Sequence, residues 1–182
     1  YICACYLDSL GKLPNHTVVA TVMSNFGFFK ALEAADLRYE QTAVGDKNVY
    51  ACMREGGYHL GGEQSGHVIF SDFEVTGDGL MTALRVLEVM TKTNKRLSEL
   101  IAPVVIYPQT LVNVAVADKK HALEDPEVQK AISRAQSELA DTGRLLVRPS
   151  GTEQLVRVMA EAPTQKACEL AVAPVVEALK LL

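Results

Sequence analysis

Tryptophan is absent from this chain, and no stretch of it approaches the ~20 unbroken apolar residues that a bilayer-spanning helix needs. The sequence therefore reads as having no membrane partner. Four cysteines in 182 residues, Cys3, Cys5, Cys52 and Cys168, form no C-x-x-C pair and are too sparse for a disulfide framework. They read as small buried hydrophobes in a reducing cytoplasm. Basic charge is also scarce: 18 Lys and Arg against 22 Asp and Glu give a net charge of -4, which argues against a nucleic-acid partner. Any positive site has to be local.

Several chemical signatures are missing as well. There is no Walker loop, no G-x-G-x-x-G after a strand and no H-E-x-x-H. "TGDG" at Thr76 to Gly79 holds a single carboxylate and reads as a helix cap rather than a metal loop, so no metal ligands are assigned. His16, His59 and His121 are isolated in sequence and read as structural or exposed. The opening "YICACYLDSLGKLPN" lacks a basic leader and reads as the back half of an amphipathic helix already under way, hence as a truncated start.

What is present alternates strand and helix signals. The apolar fraction of 48% suits a soluble globular chain of one large or two small domains. "HTVVATVMS" from His16 suits a buried strand, "NFGFFKALEAADL" from Asn25 a helix, and "YEQTAV" a second strand ending in a turn, "GDKN", at Gly45 to Asn48. Strand, helix, strand predicts a βαβ unit in a mostly parallel sheet. The stretch from Glu55 to Asp72 carries too many glycines for a long helix and ends in a short strand, "HVIF". A helix over "TGDGLMTALRVLEVMTKT", capped by Thr76 or Asp78, is expected to pack on the sheet through Leu80, Leu84 and Leu87, with Val86 and Met90 less regular.

A short helix stopped at Pro103 follows, and then the pattern changes. "TLVNVAVAD" alternates as a strand, and "DPEVQKAISRAQSELADTG" has Pro126 at a helix start and Gly143 just past its end, with Val128, Ile132, Ala135 and Leu139 as its apolar face. Two strands around "RPSGTE" and a helix from about Thr164 complete a β-α-β-β-α order. The fold class expected is α/β: a mixed α/β sheet domain over residues 1–107, then a smaller α+β domain over residues 108–182.

Two loops could carry chemistry. In "RPSGTE", a tight turn with one glycine and two hydroxyls can aim backbone N–H groups at one point, a nest for an anion. Ser150 and Thr152 add donors around Gly151, and Arg148 can pair bidentately with phosphate oxygens, with Arg157 on the returning strand as a second cation. The same residues would also make an ordinary turn. In "GGEQSGH", Glu63 can accept from vicinal sugar hydroxyls, Ser65 can take a third, and His67 can serve as acid or base near neutral pH. A solvated glycine-rich connection fits that pattern equally well. "TAVGDKN" is a weaker third candidate.

Together, "GGEQSGH" and "RPSGTE" strongly resemble the α-phosphohexomutase superfamily, and "TVVATVMSNFGF", "TAVGD" and "RPSGTEQLVRVMAEA" look most like its bacterial phosphoglucosamine mutase branch. The likeness covers essentially the whole chain and implies a phosphotransferring isomerase of four domains around a cleft. It further implies that this chain is the third domain, short of its first strand or so, plus the fourth. Carried over position by position, Glu63 and Ser65 would hold sugar hydroxyls, and His67 would lie near the reacting hydroxyl as an acid/base aid. Arg148, Ser150, Gly151 and Thr152 would grip the phosphate that is not transferred, while Thr42, Gly45 and Asp46 would form a further substrate-side loop.

The branch acts on a phosphorylated hexosamine, interconverting glucosamine 6-phosphate and glucosamine 1-phosphate through a bisphosphorylated sugar. It uses a phosphoserine in an S-H-N type motif and Mg²⁺ in a D-x-D-x-D-R loop. Neither motif occurs in this chain, so the expected partners include the upstream domains of the same protein, and this piece alone is expected to be inactive. A homodimer stays open, as do a sister mutase of glucose or mannose phosphates and a non-catalytic phosphosugar-binding module. One departure stands out: the family's R-P-S-G-T-E-P has Gln154 in its last place here.

Overall fold

The computed structural model describes all 182 residues. They divide into two compact units, Tyr1–Ile106 and Tyr107–Leu182.

In the first unit, α1 (Ile2–Ser9) leads to β1 (Thr17–Thr21), α2 (Phe26–Ala34) and β2 (Arg38–Thr42). Asn25 starts α2 by accepting the N–H of Gly27 at 3.0 Å. β1 and β2 pair in parallel, which makes β1-α2-β2 the βαβ unit the sequence predicts. α3 (Asp46–Gly56) then crosses to β3 (Leu60–Gly62), parallel to β1, and β4 (Val68–Phe70) returns antiparallel to β3. The sheet order is β2-β1-β3-β4, followed by α4 (Gly79–Thr93) and α5 (Leu97–Ile101).

β1 is buried along its whole length, and its alternation sorts two cores. Val18 and Ala20 face α1, α2 and α4 in a cluster with Phe29, Leu32 and Phe70. Val19 faces the opposite side, against Val49 and Met53 of α3 and Ile69 of β4. The threonines at the ends of β1 are buried but bonded: Thr17 Oγ1 donates to the Asn15 carbonyl at 2.9 Å, and Thr21 Oγ1 accepts from the Met23 N–H at 3.3 Å.

Two expectations fail here. Gly45–Asn48 is not a free turn: Gly45 is the N-cap of α3, and Asp46 to Asn48 form its first turn. The helix was hidden because only Val49 and Met53 of its eleven residues are buried, so its apolar stripe is one turn long. In α4 the cap is Asp78, accepting from Met81 N–H at 2.8 Å, but the inward face is Met81, Val86 and Val89. Leu80, Leu84 and Leu87 lie outward, 73%, 54% and 55% exposed. This helix carries two apolar faces, and periodicity finds both without saying which one the sheet covers.

The second unit runs β5 (Gln109–Ala115), α6 (Lys119–Glu124), α7 (Pro126–Leu139), β6 (Arg144–Pro149), β7 (Leu155–Glu161) and α8 (Gln165–Lys180). Its sheet is antiparallel in the order β5-β7-β6. α7 and α8 bury one face of that sheet through Val128, Ala135, Leu139, Val172 and Val175 against Val114, Val156 and Val158. The α7 face matches expectation, with Ile132 partly buried. α7 begins at Pro126 as expected, and the short α6 before it is a separate helix, because Asp125 ends α6 in an extended conformation and caps α7 through the N–H groups of Glu127 and Val128. Thr164 caps α8.

All four cysteines are free; Cys3 and Cys168 are buried, Cys5 and Cys52 partly so. Burial pushes the thiols of Cys3, Cys52 and Cys168 up, which keeps them protonated and poor nucleophiles at neutral pH. No helix is long and apolar enough to cross a membrane.

Candidate functional site

In the first unit the residues of "GGEQSGH" form the tip of the β3–β4 hairpin. Glu63 N–H donates to the His67 carbonyl at 2.9 Å, and Gly66 N–H to the Glu63 carbonyl at 3.1 Å. Gly66 has φ +105, a conformation side-chain-bearing residues rarely adopt, so a glycine belongs there. The tip gathers two polar side chains around one ring nitrogen: His67 Nδ1 lies 3.1 Å from Glu63 Oε1 and 3.1 Å from Ser65 Oγ.

That geometry fixes roles. An ionised carboxylate only accepts, so the proton of a neutral His67 ring sits on Nδ1. Nε2 is then left as a base. The Glu63 side chain is 8% exposed, and its Oε2 accepts the Gly45 N–H at 3.1 Å. That bond joins the two candidate loops of this unit across the N-terminus of α3. Asp46 is occupied with the Lys47 N–H at 2.8 Å, and Thr42 Oγ1 donates to the Ala43 carbonyl at 2.9 Å.

Gly77 seats the imidazole from behind. A Cβ placed on it would stand 2.9 Å from His67 Cβ, closer than real Cβ contacts allow, and 3.0 Å from His67 Cδ2, tighter than nearly all of them. Gly77→Ala is therefore expected to shift the His67 ring and lengthen both 3.1 Å contacts. The imidazole NMR resonances of His67 would report the displacement, and an unchanged spectrum would contradict it. Nothing in local sequence marks this glycine, because it touches His67 only through the fold.

In the second unit "RPSGTE" links β6 to β7. Arg148 and Arg157 are direct cross-strand neighbours, with Asn113 of β5 on the other side of Arg157. Two like charges opposite one another destabilise a sheet. Glu153 Oε2 offsets this in part, 3.4 Å from Arg157 Nη2, while Arg157 Nε is buried with no hydrogen-bond partner.

Ser150 is 2% exposed, and its hydroxyl faces the loop itself, accepting the Glu153 N–H at 3.3 Å, while its own N–H donates to the Leu155 carbonyl at 2.9 Å. Gly151 and Thr152 are exposed at the tip. A Cβ on Gly151 would meet nothing within 4 Å, and its φ lies outside the left-handed region. Neither packing nor backbone conformation within the chain requires glycine there, and the space beside its backbone is open.

Residues 1–106 match the sequence profile of "Phosphoglucomutase/phosphomannomutase, alpha/beta/alpha domain III", and residues 111–178 that of the C-terminal domain of the same family. The chain belongs to the phosphoglucomutase/phosphomannomutase family. Among its curated relatives, phosphoglucosamine mutase of Anoxybacillus flavithermus is 57% identical over 93% of this chain and 38% of its own length. That of Lachnospira eligens is 52% identical over 99% of this chain and 40% of its own length. The chain thus spans about two fifths of the relatives it matches.

Among solved structures, an N-acetylphosphoglucosamine mutase of Aspergillus fumigatus, in complex with GlcNAc-6P and magnesium, superposes with a TM-score of 0.77 at 20% identity, over 98% of this chain and 45% of that one. A phosphoglucomutase/phosphomannomutase family protein of Burkholderia thailandensis gives 0.68 at 21%, over 98% and 40%. At such identities the likeness is one of fold: the mixed first sheet and the separate three-stranded sheet are those of this family's third and C-terminal domains.

Proposed function

We propose that the chain is the sugar- and phosphate-recognising part of a cytoplasmic phosphoglucosamine mutase. Such an enzyme interconverts glucosamine 6-phosphate and glucosamine 1-phosphate through a bisphosphorylated sugar. The observation that carries the substrate choice is the identity of 52% and 57% to phosphoglucosamine mutases over nearly the whole chain. The free cysteines agree with a reducing compartment.

In this reading Glu63 and Ser65 take sugar hydroxyls, and His67 offers Nε2 to the reacting hydroxyl as a base. The bond from Gly45 N–H aims the Glu63 carboxylate before ligand arrives, which lowers the cost of ordering it. Thr42, Gly45 and Asp46 form the substrate-side edge of that loop. Arg148, Gly151 and Thr152 hold the phosphate that stays in place, with Arg157 behind them and Ser150 shaping the turn from inside.

Magnesium chemistry belongs to another part of the enzyme. No group of three or more His, Cys, Asp or Glu here could hold a metal ion, and no step is assigned to one through these residues. In this reading the phosphoserine that donates and recovers the phosphoryl group is likewise supplied by the rest of the enzyme; the chain spans only about two fifths of its relatives.

The test is to titrate the ¹⁵N-labelled 182-residue chain with glucosamine 6-phosphate. Amides of residues 63–67, of Arg148 and of residues 150–152 are expected to shift, with no conversion to glucosamine 1-phosphate. Glu63→Gln should weaken the titration about tenfold, since a hydrogen bond to a charged group contributes about 1.5–3 kcal/mol. No shift in either loop, or turnover by this chain alone, would overturn the assignment.

A further inference from the structure

The β6–β7 loop can receive an anion only if its N–H groups, and not its carbonyls, face that anion. Something must therefore occupy the carbonyls from behind. Lys119, the first residue of α6, does so: its Nζ donates to the Ser150 carbonyl at 2.8 Å and to the Glu153 carbonyl at 3.1 Å. These two carbonyls bracket Gly151 and Thr152, the exposed tip.

A second tie reaches the same loop from the residues just before α6. Gln154 Nε2 donates to the Ala117 carbonyl at 3.1 Å, and Val116 N–H donates to the Gln154 carbonyl at 3.3 Å. The short stretch 116–119, from the end of β5 to the first residue of α6, thus grips both ends of the turn. It is itself fixed, because Asp118 caps α6 by accepting from Lys120 N–H at 2.8 Å and His121 N–H at 3.1 Å. Those bonds, the one from His121 first, hold the Asp118 carboxyl below the usual carboxylate range. A depressed value means the cap is fully formed above about pH 4 and is lost only in stronger acid.

We propose that Lys119 and Gln154 are positioning residues for anion binding by the β6–β7 loop, an inference that rests on the phosphate role proposed for that loop. Lys119 acts in two ways. Its three donors tie carbonyls three residues apart, which holds the turn in one shape. Its charge also adds a third cation to Arg148 and Arg157 around a turn whose own carboxylate, Glu153, lies beside Arg157. Gln154 supplies by a side-chain bond the stiffness that a proline in its place would supply by fixing φ.

The experiment compares the 182-residue chain with Lys119→Met, Lys119→Arg, Gln154→Ala and Arg148→Ala. Two quantities are read: hydrogen exchange of the Ser150 and Glu153 amides without ligand, and the Kd for inorganic phosphate at low ionic strength. Lys119→Met is expected to speed exchange at both amides and to weaken phosphate binding about tenfold, the loss of a charge-assisted hydrogen bond. Lys119→Arg, which still offers charge and several donors, should recover most of that affinity, and Gln154→Ala should cost about threefold. A role confined to global stability would move the thermal midpoint and leave the Kd of the folded variants unchanged.

Wild-type exchange and wild-type phosphate affinity in Lys119→Met would overturn the proposal, as would Lys119→Arg binding no better than Lys119→Met. If the unmodified chain binds no phosphate, the loop's phosphate role fails. Unchanged exchange in the ligand-free Lys119→Met chain would separately refute the clasp.

Discussion

Arg148→Ala is expected to lower the affinity of the chain for inorganic phosphate by one to two orders of magnitude while leaving its stability unchanged or slightly raised. The two halves of that expectation come from different terms. A guanidinium pairs bidentately with phosphate oxygens, and a hydrogen bond to a charged group contributes about 1.5–3 kcal/mol, roughly ten- to more than a hundredfold in affinity. In the unliganded fold the same guanidinium opposes Arg157 directly across the strand pair, a repulsion of a few tenths of a kcal/mol or more. Removing it relieves that repulsion. Most mutations that weaken binding through damage to the fold also lower the melting temperature, so loss of affinity at constant or higher stability is a specific signature.

Isothermal titration at low ionic strength measures the first half and thermal unfolding the second. Arg148→Lys keeps the charge but not the planar fork, and is expected to recover only part of the affinity. Phosphate binding by Arg148→Ala equal to that of the unmodified chain would remove Arg148 from the site and, with it, the reason for two arginines facing one another.

The parts of this picture that were legible in sequence are those whose cause is local. The β-branched run of β1, the helix starts at Asn25 and near Thr164, the cap at Asp78, and Pro126 at the start of α7 each act within one turn or strand. Both loop motifs were visible for the same reason, since each is a contiguous string of polar residues between apolar strands. What stayed hidden depends on contacts between distant segments. α3 is stabilised by two side chains against the sheet, too few to print a period, and the outward leucines of α4 are indistinguishable from inward ones until the sheet is in place. Lys119, in "ADKKH", looks like a solvated charge, and only the fold brings its ammonium to carbonyls thirty residues and more ahead.

The face of the second sheet turned away from α7 and α8 shows how differently two charged rows can be treated. At the loop end stand Asn113, Arg157 and Arg148, a row with two cations. At the other end stand Gln109, Glu161 and Arg144, where Glu161 is fully buried, accepts from Gln109 Nε2 at 3.0 Å and meets Arg144 Nε at 2.7 Å. This row is balanced within the chain. Breaking a buried ion pair by removing one partner typically costs about 3–5 kcal/mol, because the other charge is left without compensation, whereas replacing both partners by apolar side chains of similar volume is often neutral. Arg144→Met is therefore expected to destabilise the second unit by about 3–5 kcal/mol, and the double variant Arg144→Met, Glu161→Met to recover most of it.

Glu161→Gln should cost less than Arg144→Met, since Arg144 keeps 17% of its side chain exposed and can turn to water, whereas Glu161 has no such route. Native-state hydrogen exchange of the amides of β7, the central strand of its sheet, measures all three. A loss under 1 kcal/mol in Arg144→Met would mean that the pair does not hold this end of the sheet. If the order holds, the row of Gln109, Glu161 and Arg144 is held by a charge pair neutralised within the chain, whereas the row of Asn113, Arg157 and Arg148 sets two cations against the single carboxylate of Glu153.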